Sequence, residues 1–95
     1  MAEFDAERRW ALDPRVAVRK EPFGALAYHF GTRRLSFLKD PTLVRVLELL
    51  DENDTAKASC RAAGVTHERE PAILKALATL AETGMIRLGA DHATC

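Results

Sequence analysis

The sequence predicts an α+β domain in which a three-stranded antiparallel sheet is followed by three helices. Two observations carry that prediction. Through the first forty residues, apolar side chains alternate with polar or small ones between Pro- and Gly-containing breaks. From Asp40 onward they recur at three- and four-residue spacing instead. A third observation, the position of capping residues and glycines at the ends of the helical stretches, sets the approximate bounds.

The first strand is Val16-Ala17-Val18-Arg19, a short β-branched run that follows Asp13-Pro14 and is closed by Glu21-Pro22. Gly24 to Phe30 alternates and places Leu26, Tyr28 and Phe30 on one face. His29 falls on the opposite face, where a partly exposed or hydrogen-bonded histidine is expected. Gly31-Thr32-Arg33 reads as a hairpin loop, with Gly31 supplying any positive φ. The third strand is Arg34-Leu35-Ser36-Phe37-Leu38, with Leu35 and Phe37 on one face and Arg34 and Ser36 on the other.

Asp40-Pro41 starts the first helix: the Asp caps free N–H groups and the Pro fits the first turn. Leu43, Val46, Leu47 and Leu50 form its core stripe. After a polar turn, Asp54 or Thr55 caps a second helix that runs to about Ala63, with Ala56, Cys60 and Ala63 on its small face and Gly64 just past its end. Thr66 is the expected cap of the third helix, in which Ile73, Leu77 and Leu80 form the main stripe and Gly84 the stop. Met85-Ile86-Arg87-Leu88 is either a final strand or a tail packed on the core. Three strands and then three helices, the last two joined by a tight Gly-containing turn, make the predicted domain winged-helix-like.

Length and charge narrow the function. The chain has 95 residues, enough for a single domain but for little enclosed volume. Lys plus Arg and Asp plus Glu are both 14, so the formal charge is zero and the basic excess expected of a nucleic-acid module is missing. The N-terminal residues include acidic side chains and no apolar run, which is unlike a signal peptide. No stretch approaches the roughly 18 consecutive apolar residues of a membrane span. A cytoplasmic protein with reduced cysteines is the expectation.

Candidates for catalysis are few. His29, His67 and His92 lie far apart and none has metal-ligand spacing with another His or Cys. Cys60 sits on a small helical face where free cysteine behaves as an apolar residue, and no base is placed beside it. There is no phosphate loop and no dinucleotide fingerprint. Neither an enzyme nor a cofactor-binding protein is expected, and no metal is required. A winged-helix nucleic-acid binder is the alternative reading. Against it, the third helix offers only Lys75 as a base-reading cation and carries acidic Glu68, Glu70 and Glu82 near or on it.

What remains is apolar surface. The third helix is rich in Ala and Leu around most of its circumference, more than one stripe requires. A groove between the last strand of the sheet and this helix would put unpaired strand amides beside apolar side chains, a template for an added strand.

The stretch from Val16 through Pro22, Phe23, Tyr28, Gly31 and Arg34 to Leu38, together with Ser59-Cys60-Arg61-Ala62-Ala63-Gly64-Val65, resembles the peptide chaperone of the mycofactocin biosynthetic system. The resemblance covers about residues 10–88, the expected core, and leaves both ends outside as flexible segments. That family is a stand-alone precursor-peptide recognition domain, similar in fold to the chaperone of pyrroloquinoline quinone synthesis. The resemblance implies a non-catalytic protein that binds the leader of a ribosomally made precursor peptide as a strand beside the third strand, against the third helix. A monomer is the default expectation, with the exposed edge strand open to pairing with a second copy when no peptide is present. The resemblance further implies delivery to a radical S-adenosylmethionine maturase, with no cluster held by the chaperone itself.

Carried onto this chain, the resemblance assigns strand pairing to the backbone of Leu35, Ser36 and Phe37 within residues 34–38, with Leu38 closing the strand. It assigns the apolar pocket to Leu74, Leu77, Ala78 and Ala81 on residues 71–83, with Leu77 equally readable as plain core, and electrostatic steering of an acidic leader to Arg33, Arg34 and Lys75. Proline at Ser36 is expected to abolish the pairing.

Overall fold

A computed structural model of the chain describes residues 4–89. Residues 16–38 form a meander. Strands Val16–Glu21 (β2), Gly24–His29 (β3) and Leu35–Leu38 (β4) pair antiparallel in that spatial order, after a short strand Trp10–Leu12 (β1). Helices Pro41–Leu49 (α1), Ala56–Ala62 (α2) and Glu70–Glu82 (α3) follow, and strand Ile86–Leu88 (β5) comes last. The fold is thus α+β with a three-stranded antiparallel sheet and three helices, an arrangement compatible with a winged helix.

The meander is held tightly at its first turn. Gly24 has φ of 144°, a region that L side chains rarely adopt, and a Cβ there would lie 2.0 Å from the Leu38 carbonyl oxygen. Only glycine lets the β2–β3 turn pass so close to the end of β4. At the second turn the positive φ belongs to Arg33, at 61°, and not to Gly31. Gly31 is constrained by packing instead, since a Cβ would approach the His29 ring to 2.8 Å.

The sheet buries the face opposite to the one its bulkiest residues mark. Ala25, Ala27 and His29 point into the core, while Leu26 and Tyr28 are half-buried and Phe30, Leu35 and Phe37 are exposed. The reason lies in α1, which packs on this face with Leu43, Val44, Val46 and Leu47. Alanines let the helix approach closely, and the branched side chains of α1 fill the layer from the other side. His29 is only 2% exposed, and its Nδ1 accepts the N–H groups of Gly31 and Thr32, both at 3.0 Å. Its Nε2 lies 3.9 Å from the Asp13 carboxylate.

The helices follow their sequence signals. Asp40 Oδ1 accepts the Thr42 N–H at 2.9 Å and Pro41 opens α1. Thr55 Oγ1 accepts the Ala58 N–H at 3.0 Å and caps α2. The stripe of α3, Ile73, Leu77 and Leu80, is buried. One signal is displaced: Thr66 does not cap α3 but closes a turn onto the Arg69 N–H, and the helix begins at Glu70. Arg69 instead reaches across to Asp40 and Thr42, tying the start of α3 to the start of α1.

Strand β5, Ile86–Leu88, pairs antiparallel with β1, Trp10 opposite Leu88 and Leu12 opposite Ile86. The chain before β1 is also fixed. The carbonyls of Ala6 and Arg8 accept the Lys57 and Ala56 N–H groups at 3.0 and 2.9 Å, and the Phe4 and Trp10 rings lie 5.0 Å apart. Buried Trp10 donates its indole N–H to the Asp5 carbonyl at 2.8 Å. This small second sheet seals the side of the core that the meander leaves open.

Candidate functional site

Antiparallel ladders alternate, so every second residue of an edge strand turns its amide and carbonyl away from the partner. In β4 the phase is set by the His29 N–H, which donates to the Arg34 carbonyl at 2.9 Å, and by the pairing of Ala27 with Ser36 and Ala25 with Leu38. Ser36 and Leu38 therefore bond to β3, whereas Leu35 and Phe37 present their N–H and C=O groups outward. Among the described residues β4 pairs with β3 alone, so these groups form an open edge.

Beside that edge runs a groove of about 380 Å³. Its walls are Ser36, Phe37 and Leu38 on the strand and Ala76, Thr79 and Leu80 on α3, with Leu43 of α1 at the base. Five of these seven residues are apolar, and Thr79 commits its hydroxyl to the Lys75 carbonyl at 3.2 Å. No charged side chain lines the groove. The lone polar donor left on the wall is the Ser36 hydroxyl.

The structure brings some of the expected site residues together and separates others. Ser36, Phe37 and Leu38 line the groove and Leu35 adjoins it on the same edge. Arg33 and Arg34 are exposed at the hairpin end of β4. On α3 the groove-facing residues are Ala76, Thr79 and Leu80, a strip that the sequence reading did not name. Leu77 is fully buried in the core, Leu74 packs partly buried against it, and Ala78 and Ala81 lie with Leu74 on the far flank of the helix from the groove. Ala81 borders a different hollow of about 320 Å³ with Trp10, His29 and Ile86. Lys75 is exposed on the helix surface. Sequence spacing alone does not set the rotation of α3, so the helical wheel signals the strip of Ala76 and Thr79 only once the core stripe is known. The proposed break at Ser36 is also misplaced, since its N–H faces β3 and a proline there would open the hairpin.

An open edge beside an apolar groove on so small a chain points to a peptide receptor, and comparison with known proteins names one. The model of the peptide chaperone MftB family matches residues 9–87. The chain belongs to the MftB family. The peptide chaperone MftB of Mycobacterium tuberculosis is 49% identical over 85 residues, covering 90% of this chain and 78% of that protein. The peptide chaperone MftB of Mycolicibacterium smegmatis is 47% identical over 83 residues, covering 87% of this chain and 81% of that one. No solved structure matches the sequence.

MftB relatives are named as chaperones, a non-catalytic role, and the titratable groups here have structural work. Burial pushes the Cys60 thiol up to about 11, with the Glu70 carboxylate adding to the shift, so the sulfur stays protonated. Asp13 is held at about 2 by hydrogen bonds from the Arg15 side chain and backbone, and its carboxylate fixes the turn into β2. Among the described residues no three His, Cys, Asp or Glu side chains converge as metal ligands, and no helix is long and apolar enough to cross a membrane.

Proposed function

We propose that this chain binds the leader of a ribosomally made precursor peptide as an added strand on β4 and presents it to a radical S-adenosylmethionine maturase in mycofactocin biosynthesis. The observation that carries the reading is the uncharged open edge of Leu35 and Phe37 backing onto the apolar groove of Leu43, Ala76, Thr79 and Leu80. The peptide's backbone completes the ladder, and its alternate side chains enter the groove. Two outward residues provide four main-chain bonds at a net ~0.5–1.5 kcal/mol each, or roughly 2–6 kcal/mol together. Apolar anchors in the groove carry the total toward the ~8 kcal/mol of micromolar binding. Arg33 and Arg34 at the hairpin end and Lys75 on α3 steer an acidic leader into place, raising the association rate at low salt. The protein acts as a cytoplasmic monomer, and its contribution to catalysis is to raise the effective concentration of the precursor at the enzyme.

The test is calorimetric titration of the folded chain with synthetic leader, with duplex DNA as a control. One-to-one binding at micromolar strength or tighter, absent with DNA, is the expected outcome. Failure of folded protein to bind the leader overturns the reading, and salt-dependent DNA binding replaces it with the nucleic-acid one.

A further inference from the structure

The outer face of the meander is apolar and unaccompanied. Cross-strand pairing places Leu26 beside Phe37 and Tyr28 beside Leu35 on this face. Phe23 stands 6.2 Å from Phe37, and Phe30 meets Tyr28 edge-on at 5.3 Å, so the rings form one continuous surface across the sheet. Phe23, Phe30 and Phe37 are 43%, 61% and 62% exposed. At about 150–250 Å² for a buried aromatic side chain, they alone leave on the order of 300 Å² of ring open to water. A patch of that size matches the largest found on ordinary monomers, which is commonly functional. Peptide binding in the groove does not account for it. The groove lies on the inner side and edge of β4, and only Phe37 belongs to both.

The charges around the face indicate what covers it. Arg19 stands on the face itself, opposite Leu26, with Lys39 just beyond the end of β4 and Arg33 at the hairpin end. All three are exposed, and Glu21 on this side is already paired with Arg19 at 3.5 Å. A two-fold pairing with a second copy would bring these cationic rims together, which opposes self-association. The complement is an apolar patch rimmed by carboxylates on a folded protein.

We propose that this outer sheet face is the surface by which the chain docks the modifying enzyme, which meets it with an acid-rimmed apolar patch. The inference rests on the strand-addition reading in one respect. A peptide strand added to β4 extends the sheet, so every second peptide side chain joins the outer face next to Leu35 and Phe37. The enzyme then meets a composite of chaperone aromatics and peptide side chains, and loaded chaperone binds it more tightly than empty chaperone.

The test titrates fluorescently labelled chain with the radical S-adenosylmethionine maturase, with and without saturating leader, for the wild type, the double variant Phe23→Ser/Phe30→Ser, and Arg19→Glu. Leader affinity is measured separately by calorimetry, and folding by circular dichroism. The double variant is expected to bind leader within about twofold of wild type and to lose about tenfold or more in enzyme affinity, as truncation of aromatic anchors does. Arg19→Glu is expected to weaken enzyme binding chiefly at low salt. Unchanged enzyme affinity in the folded double variant overturns the proposal. So does a wild-type dimer that the double variant converts to monomer, because the face then belongs to a second copy. If wild-type chain binds the enzyme through this face but fails to bind leader, the strand-addition reading falls and the docking surface stands.

Discussion

The two edges of the meander offer the same backbone chemistry and opposite invitations. On β2 the amides of Val18 and Lys20 turn outward, as those of Leu35 and Phe37 do on β4. But β2 carries Arg19 and Lys20, whose side chains are 80% and 71% exposed and paired with Glu21 and Glu48. A strand approaching that edge would have to displace or desolvate two cations and their partners. β4 has no charge from Leu35 to Leu38, and its edge opens on a groove instead of on solvent. Hydrogen-bonding capacity is therefore common to both edges, and side-chain charge decides which one is available. On the strand-addition proposal, the same device that protects sheets from aggregation also selects the edge a peptide takes.

The variant with the largest expected effect removes the support of the open edge. Gly24→Ala combines a forbidden φ with a 2.0 Å approach to the Leu38 carbonyl, so a loss of about 3 kcal/mol or more in unfolding free energy is expected. Urea denaturation reads it. A change below about 1 kcal/mol would mean that the turn and the end of β4 can part without cost to the fold.

Next comes a direct contrast of the edges. Phe37→Pro removes an outward N–H and leaves the bonds to β3, so leader affinity is expected to fall about 100-fold or more with the circular dichroism spectrum retained. Lys20→Pro removes the equivalent donor from β2 and is expected to leave leader affinity within about threefold. Equal losses from both would erase the distinction drawn between the edges.

A smaller effect belongs to the groove wall. Thr79 is exposed on α3, so Thr79→Arg fills the groove without disturbing the core, and about a tenfold loss in leader affinity is expected with little change in thermal stability. The smallest concerns the strand that the peptide does not use. The pKa of Asp13 is lowered from 3.8 to about 2 by Arg15, so the folded state favours its ionised form. Its contribution to stability is complete above pH ~4 and is lost as pH falls through the folded value near 2. Asp13→Asn is expected to flatten the stability profile across that window and to leave leader binding at neutral pH unchanged.

The helical half of the fold was legible because its signals are local. Asp40 and Pro41 start α1 within one turn, and Gly64 and Gly84 take the positive φ values, 83° and 79°, that end helical segments. The sheet was legible in its strands and not in its orientation. Alternation defines two faces of β3, but it does not say which is buried. Large residues at Leu26, Tyr28 and Phe30 outweighed Ala25 and Ala27 in a reading by size, whereas a helix packed on the sheet required the small ones inside. His29 fitted neither class until Gly31 and Thr32 were seen to satisfy its ring nitrogen. The β1–β5 pairing joins three-residue strands from opposite ends of the chain, and nothing local announces so short and so distant a contact. For the candidate site, the family resemblance supplied the strand residues, while the α3 strip of Ala76 and Thr79 depended on the helix rotation.

The brevity of β4 has one more consequence. Four residues at about 3.4 Å each make a strip only some 13 Å long, with just two of them facing outward. On the strand-addition proposal a longer peptide makes the same four main-chain bonds in every register two residues apart, so the side chains that enter the groove choose the register. Under the same proposal, the few apolar side chains that fit this short strip fix the register, and with it the length of free chain left to reach the enzyme. Lengthening that free chain should move the modified position without changing how tightly the leader is held.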